Sequence, residues 1–98
     1  MIEQVAAADW KTWAEQNDAV VLDVRDPVEW LQGTLPGAKT IQLMTLPQAM
    51  ENLDPETPLL IVCRSGNRSQ MAARFLSAHG FVKVANLSGG LKALGMAG

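Results

Sequence analysis

The stretch that decides the fold of this chain is LLIVCRSGNRS, residues 59–69. Residues 59–62 form an uninterrupted apolar run, which is typical of a strand buried on both faces of a sheet. Residues 63–68 form a short basic loop with one glycine. From Ser69 onwards, apolar residues recur every three or four positions, which predicts a helix that ends at Gly80. Cys63, the only cysteine, is therefore expected where a central strand ends and a helix is about to begin.

The position of Cys63 predicts a reactive thiolate. The first N–H groups of a helix lack partners within the helix and carry the positive end of its dipole. A loop that wraps into them binds anions, and Arg64 and Arg68 add two positive charges to this loop. We therefore expect the pKa of Cys63 to lie below the free value of about 8.5, and its thiolate to attack an anionic substrate. The alternative is that Cys63 is buried as a small apolar side chain. Two neighbouring guanidinium groups argue against this alternative, because they would contribute nothing to an apolar site.

Composition limits the classes of function. The chain has 98 residues, 48% of them hydrophobic, and a net charge of −2. This predicts one domain over residues 1–98, without the positive field that attracts nucleic acid. No apolar run reaches the roughly 18 residues of a membrane span. The first residues lack a basic, apolar leader, which predicts a cytoplasmic protein, or a periplasmic one if a leader has been removed.

Cysteine and histidine are too few for a disulfide or a metal site. With one cysteine and one histidine, neither an internal disulfide nor a multidentate metal centre is expected, and we predict no cofactor. His79 is expected instead to cap the carboxyl end of its helix.

Strands and helices are predicted to alternate along the whole chain. The predicted strands cover residues 2–5, 19–24, 38–43, 59–62 and 82–87. The predicted helices cover residues 6–16, 27–32, 48–53 and 69–79, followed by a short terminal helix. Two of the helix starts carry capping-box patterns, at residues 26–29 and 45–48. The alternation predicts an α/β fold with a mostly parallel sheet and helices on both faces, in which Cys63 and residues 23–25 share one edge.

Several conspicuous side chains are predicted to be structural. Trp10 and Trp13 share one face of the first helix, which favours a place in the core over a ligand platform. Asp23, Arg25 and Glu29 are predicted to form an ion-pair and capping cluster.

The sequence resembles the single-domain rhodaneses, a family of thiosulfate sulfurtransferases. Residues 22–30, LDVRDPVEW, are similar to the family signature D-x-R-x-x-x-E-aromatic, and residues 33–38, GTLPGA, to its continuation G-H-I-P-G-A. Residues 63–68, CRSGNR, resemble its active-site loop, and residues 86–91, NLSGGL, its closing signature. Thr34 stands where a histidine is common and Leu94 where a tryptophan is common, both outside the loop.

The resemblance implies a five-stranded rhodanese-like sheet and a ping-pong sulfur transfer through a persulfide on Cys63. The thiolate would take sulfur from a small anionic donor such as thiosulfate and pass it to cyanide, a thiol or a protein cysteine. Arg64 and Arg68 would bind the oxyanion of the donor through forked, charge-assisted hydrogen bonds. Gly66 would let the loop curve tightly. Four residues would direct backbone N–H groups at the transferred sulfur: Ser65, Gly66, Asn67 and Arg68.

Two other functions fit parts of this pattern. Cysteine phosphatases use the spacing C-x-x-x-x-x-R, and the step from Cys63 to Arg68 is one residue shorter. A smaller ring of N–H groups suits one sulfur atom better than a tetrahedral phosphoryl group. A sulfur carrier or regulatory binding module would keep the fold without catalysis. Such a module would be expected to lose the cysteine or the loop charges, and this chain has both.

Overall fold

The structure is a computed structural model that describes residues 2–96. Its five strands are β1 (Glu3–Ala6), β2 (Val20–Asp23), β3 (Lys39–Thr40), β4 (Leu59–Val62) and β5 (Val84–Ser88). Its α-helices are α1 (Trp10–Gln16), α2 (Pro27–Trp30), α3 (Leu46–Ala49) and α4 (Asn67–Ala78). Short 3-10 helices cover Ala7–Asp9, Leu43–Thr45, Met50–Asn52 and Leu91–Leu94. The predicted alternation of strands and helices is confirmed.

The strands form one parallel sheet in the order β1-β5-β4-β2-β3. All four residues of β4 are buried, which confirms the strand covered on both faces. Leu59 and Ile61 face a core cluster built with α3 and α4. Leu60 and Val62 face a second cluster, against which α1 and the 3-10 helix at 91–94 pack. The middle strand is thus packed on both faces, and its carboxyl end lies between the two core clusters.

Strand β3 is shorter than the predicted strand over residues 38–43. It pairs only with β2, through two register pairs, Leu22 with Lys39 and Asp23 with Thr40. Beyond Thr40, the N–H groups of Ile41 and Leu43 still donate to the carbonyls of Asp23 and Val24, but the strand pairing has ended and the chain turns into a 3-10 helix at Leu43.

The predicted capping box at residues 45–48 is wrong. The Thr45 hydroxyl donates to the carbonyl of Gln42 at 2.9 Å and makes no cap to the helix that follows. Helix α3 begins at Leu46, with Pro47 in its first turn, and continues as a 3-10 helix rather than as the predicted helix over 48–53. The Thr45 hydroxyl donates to a preceding carbonyl, and its oxygen accepts no N–H group from the turn that follows.

The other helix ends follow the sequence more closely. The Asp26 N–H donates to Glu29 Oε1 at 3.1 Å, as the capping pattern at 26–29 predicts. After α4, His79 Nδ1 lies 2.7 Å from the carbonyl of Phe75, and Gly80 adopts a φ of +93°. The predicted cap by His79 is confirmed.

The tryptophans of α1 lie at the edge of the core. Trp10 and Trp13 are half-buried and pack against the second cluster, which agrees with a structural role. The Trp13 indole donates to Glu3 Oε2 at 3.0 Å, and Lys83 Nζ lies 5.9 Å from its ring centroid. Within residues 2–96, no helix has the length and apolar character that a membrane span requires.

Candidate active site

Cys63 lies directly after β4, and α4 begins four residues later at Asn67. The chain turns at Gly66, whose φ of +101° is a left-handed conformation that glycine adopts without strain. A Cβ there would also come within 3.3 Å of the Gly89 backbone nitrogen. Strand, tight turn and helix therefore fold the loop back over the cysteine, as the sequence predicted.

Two N–H donors and one hydroxyl group surround the sulfur of Cys63. The Gly66 N–H lies 3.1 Å from Sγ, the Ser69 N–H 3.3 Å, and the Ser69 hydroxyl oxygen 3.2 Å. The side chain is 1% exposed. Burial raises the pKa of the thiol, but the hydrogen bonds from Ser69, Gly66 and Ser65 outweigh it and hold the pKa below its ordinary value. The direction agrees with the expectation, and the stabilising groups are loop amides and a hydroxyl.

Arg68 is held by a carboxylate across the site. Its Nη1 and Nη2 donate to Glu29 Oε1 and Oε2 at 2.6 and 2.9 Å, and Asp26 Oδ2 lies 3.8 Å away. The Arg68 hydrogen bond is the main cause that lowers the pKa of Glu29 to about 2, against the opposing effect of burial. The same pairing raises the pKa of Arg68. The pair joins the first turn of α4 to α2.

The other loop residues predicted for the site face solvent. Arg64, Ser65 and Asn67 are exposed at the mouth of the loop. The amides that contact the sulfur belong to Gly66 and Ser69, and the side chains of Arg64, Ser65 and Asn67 lie on the outside of the loop.

The segment NLSGGL supports the loop from behind. The N–H groups of Leu91 and Lys92 donate to the carbonyls of Cys63 and Arg64, each at 2.9 Å. Gly90 has a φ of +63°, and a Cβ on it would come within 2.6 Å of the Cys63 carbonyl oxygen and closer still to that of Arg64. No side chain fits between the two backbones, which gives a physical reason for a glycine here.

Two buried polar residues of the site were missed by the sequence analysis. Ser69 is fully buried and donates its hydroxyl to Asn86 Oδ1, while Asn86 is 4% exposed. Asn86 Nδ2 donates to Gln4 Oε1 at 2.9 Å and to the Gly66 carbonyl at 3.3 Å. The available signal was an asparagine within an otherwise apolar strand, since buried polar groups require partners.

The predicted cluster of Asp23, Arg25 and Glu29 divides into two ion pairs. Asp23 and Arg25 form a buried pair at 2.8 Å, whereas Glu29 pairs with Arg68. Arg25 also donates to the Gly33 carbonyl at 2.6 Å. Thr34, where the family commonly has histidine, donates its hydroxyl to Asp23 Oδ2 at 2.6 Å. The structural interpretation of Asp23 and Arg25 is confirmed, and Glu29 belongs to the candidate site.

Comparison with known proteins gives the family of this chain. Residues 6–97 match the Rhodanese-like domain family. The chain belongs to the rhodanese-like domain family. It is 37% identical over 76 residues to the thiosulfate sulfurtransferase GlpE of Ectopseudomonas mendocina, covering 78% of this chain and 70% of that one.

Solved rhodanese-like structures have the same fold. The rhodanese-like domain protein of Staphylococcus aureus superposes with a TM-score of 0.84 at 28% identity, covering 94% of this chain and 90% of that one. Reduced CoADR-RHD of Bacillus anthracis superposes with a TM-score of 0.87 at 32% identity. That match covers 97% of this chain but only 17% of the much longer Bacillus chain. The rhodanese-like sheet is confirmed, and the sulfurtransferase relatives, with the single cysteine, support rhodanese-type sulfur transfer.

Proposed function

We propose that this rhodanese-like chain is a thiosulfate sulfurtransferase that carries sulfur as a persulfide on Cys63, and that residues 1–98 form a single domain. The observation that carries the proposal is the convergence on Cys63 Sγ of two N–H donors, from Gly66 and Ser69, and of the Ser69 hydroxyl group. A buried thiol surrounded by donors is stabilised in its thiolate form, which is the nucleophile.

The reaction divides into two displacements. In the first, the Cys63 thiolate attacks the outer sulfur of thiosulfate, the sulfur–sulfur bond of the donor breaks, and sulfite leaves with its electron pair. In the second, the nucleophilic carbon of cyanide or the sulfur of a thiolate attacks the outer sulfur of the persulfide. The bond to Sγ breaks, and the Cys63 thiolate is regenerated. The amides of residues 65–68 stabilise the charge on the outer sulfur between the two steps.

The two loop arginines bind the anionic donor. Arg64 is exposed at the entrance, and Arg68 presents a guanidinium group whose orientation is fixed by Glu29. A guanidinium has five N–H donors, and the Glu29 carboxylate occupies two of those of Arg68. The remaining N–H groups can bind a sulfonate oxygen while the pair stays intact. A small anionic donor is therefore preferred over a neutral one.

The experiment combines mass spectrometry with an activity assay. After incubation with thiosulfate, the wild-type protein should carry one added sulfur on Cys63, and addition of cyanide should remove it as thiocyanate. Cys63→Ala should do neither, whereas Ser77→Ala, an exposed position on the same helix, should behave as wild type. Hydrolysis of aryl phosphates without persulfide formation would overturn the proposal in favour of a phosphatase. A wild-type protein that takes up no sulfur would overturn it in favour of a binding module.

A further inference from the structure

The Ser69 hydroxyl lies between two acceptors and has only one proton. Its oxygen is 3.2 Å from Cys63 Sγ and also within hydrogen-bond distance of Asn86 Oδ1. All three side chains are at least 96% buried, since Cys63 is 1%, Ser69 0% and Asn86 4% exposed. A hydroxyl donates one hydrogen bond at a time, so it cannot donate to the sulfur and the amide together.

The orientation of the Asn86 amide is fixed by its other partners. Its Nδ2 donates to Gln4 Oε1 and to the carbonyl of Gly66, both of which are acceptors. Gln4 is held in turn by a 2.7 Å hydrogen bond from its Nε2 to Gln70 Oε1. With the nitrogen committed to two oxygens, the oxygen of Asn86 must face Ser69.

We propose that Asn86 is a positioning residue that acts through Ser69, by accepting the Ser69 hydroxyl whenever Cys63 Sγ carries no negative charge. This inference rests on the proposed function, because it assigns the two arrangements of the hydroxyl to the two halves of sulfur transfer. Asn86 touches neither the donor nor the reacting sulfur.

The proton count differs between the states of the cysteine. In the thiol, the S–H donates to Ser69 Oγ, and the Ser69 hydroxyl donates to Asn86 Oδ1. In the thiolate, the S–H proton has left to solvent, and the Ser69 hydroxyl turns to donate to Sγ. In the persulfide, the negative charge lies on the outer sulfur, and the hydroxyl returns to Asn86. Asn86 therefore competes with the thiolate for one hydrogen bond and favours the thiol and the persulfide.

Charged groups lie on several of the elements that surround Cys63. Arg64 lies in the loop, Arg68 lies on α4 with its partner Glu29 on α2, and Lys92 lies in the 3-10 helix at 91–94. The ion pair of Asp23 and Arg25 lies at the carboxyl end of β2, which pairs with β4. None of these residues is changed in the test, so a difference between variants reports on Ser69 and Asn86.

The test is the pH dependence of Cys63 alkylation by iodoacetamide in the absence of any sulfur donor. Ser69→Ala removes a donor to the thiolate and should raise the midpoint by about one pH unit. Asn86→Ala removes the competing acceptor and should lower the midpoint by about half a unit. In the double variant, the Asn86 substitution should have no further effect, because it acts only through Ser69. Ser77→Ala is the control and should keep the wild-type midpoint.

A merely structural role for Asn86 gives a different result. If Asn86 only supported the Gly66 turn, its loss would loosen the sulfur cradle and raise the midpoint, and it would do so in the Ser69→Ala background as well. A raised alkylation midpoint for Asn86→Ala overturns the proposal. So does any effect of the Asn86 substitution in the Ser69→Ala background. If Asn86→Ala does not fold, Asn86→Val replaces it in the test, because valine favours a strand and also removes the acceptor. The same lowering of the alkylation midpoint is expected. Alkylation reads the thiol directly, so failure of persulfide formation would refute the proposed function without deciding this test.

Discussion

The ion pair between Glu29 and Arg68 should stabilise the fold by an amount that depends on pH. The change is Glu29→Gln, which keeps the size of the side chain and removes its charge. In the folded protein the pKa of Glu29 is lowered from 4.5 to about 2, mainly by the Arg68 hydrogen bond. Because the folded pKa is depressed, the stabilisation is fully present above pH 4.5 and is lost as the pH falls towards 2.

The size of the effect follows from that pKa and from the exposure of the pair. Taken alone, the lowered pKa corresponds to about 3 kcal/mol of folding free energy at neutral pH. The side chains of Arg68 and Glu29 are 32% and 24% exposed. Solvent screening at this exposure reduces the value to about 1–2 kcal/mol. Gln can still accept one hydrogen bond from Arg68, so the loss should stay within this range.

The assay is urea unfolding of wild type and Glu29→Gln at several pH values between 7 and 3. The difference in unfolding free energy should be largest at pH 7 and shrink below about pH 4.5, since the wild type loses its advantage there. Glu15→Gln, an exposed position on α1, is the control and should track the wild type throughout. Equal stability of wild type and Glu29→Gln at pH 7, or a constant difference across the range, would refute the reasoning.

Three further results are expected. Arg25→Leu should lower the unfolding free energy by about 3–5 kcal/mol in urea, because it leaves Asp23 buried without its partner, and a loss below about 1 kcal/mol would contradict this. Gly90→Ala should lower the melting temperature and sulfur transfer much more than Gly80→Ala, since a Cβ at Gly80 meets nothing within 4 Å, and equal losses would show that only backbone strain matters. Arg64→Ala should lower kcat/KM about ten- to a hundred-fold with thiosulfate and less with an uncharged persulfide donor, whereas equal losses would indicate collapse of the loop.

The fold could be predicted because its strongest signals are local. The four apolar residues of β4 and the helical spacing after Ser69 define the central strand and α4 without any tertiary information. Short elements were less predictable. Strand β3 pairs with β2 over only two residues, and Thr45 bonds a preceding carbonyl instead of capping α3, neither of which local sequence patterns reveal.

The candidate site was predictable only where it is contiguous in the chain. Cys63 and the Gly66 turn lie within four residues, so strand, loop and helix could be placed around them. Arg68 meets a carboxylate 39 residues away, and Ser69 meets an amide 17 residues away. Spacing along the sequence carries no information about such pairs. The sequence analysis treated Arg68 as a positive charge available to the substrate, and the structure pairs it with Glu29.

The support of the loop by residues 91 and 92 has a consequence for synthesis of the protein. When residues 2–80 have left the ribosome, Cys63, its loop and α4 have been synthesised, but β5 has not. Strand β5 lies between β1 and β4 in the sheet. The carbonyls of Cys63 and Arg64 gain their donors only when the last 3-10 helix docks. A chain that ends before this 3-10 helix therefore lacks the two hydrogen bonds that hold the backbone of residues 63 and 64 from behind. The order of the elements along the chain places this support of the cysteine loop after every strand of the sheet has been synthesised.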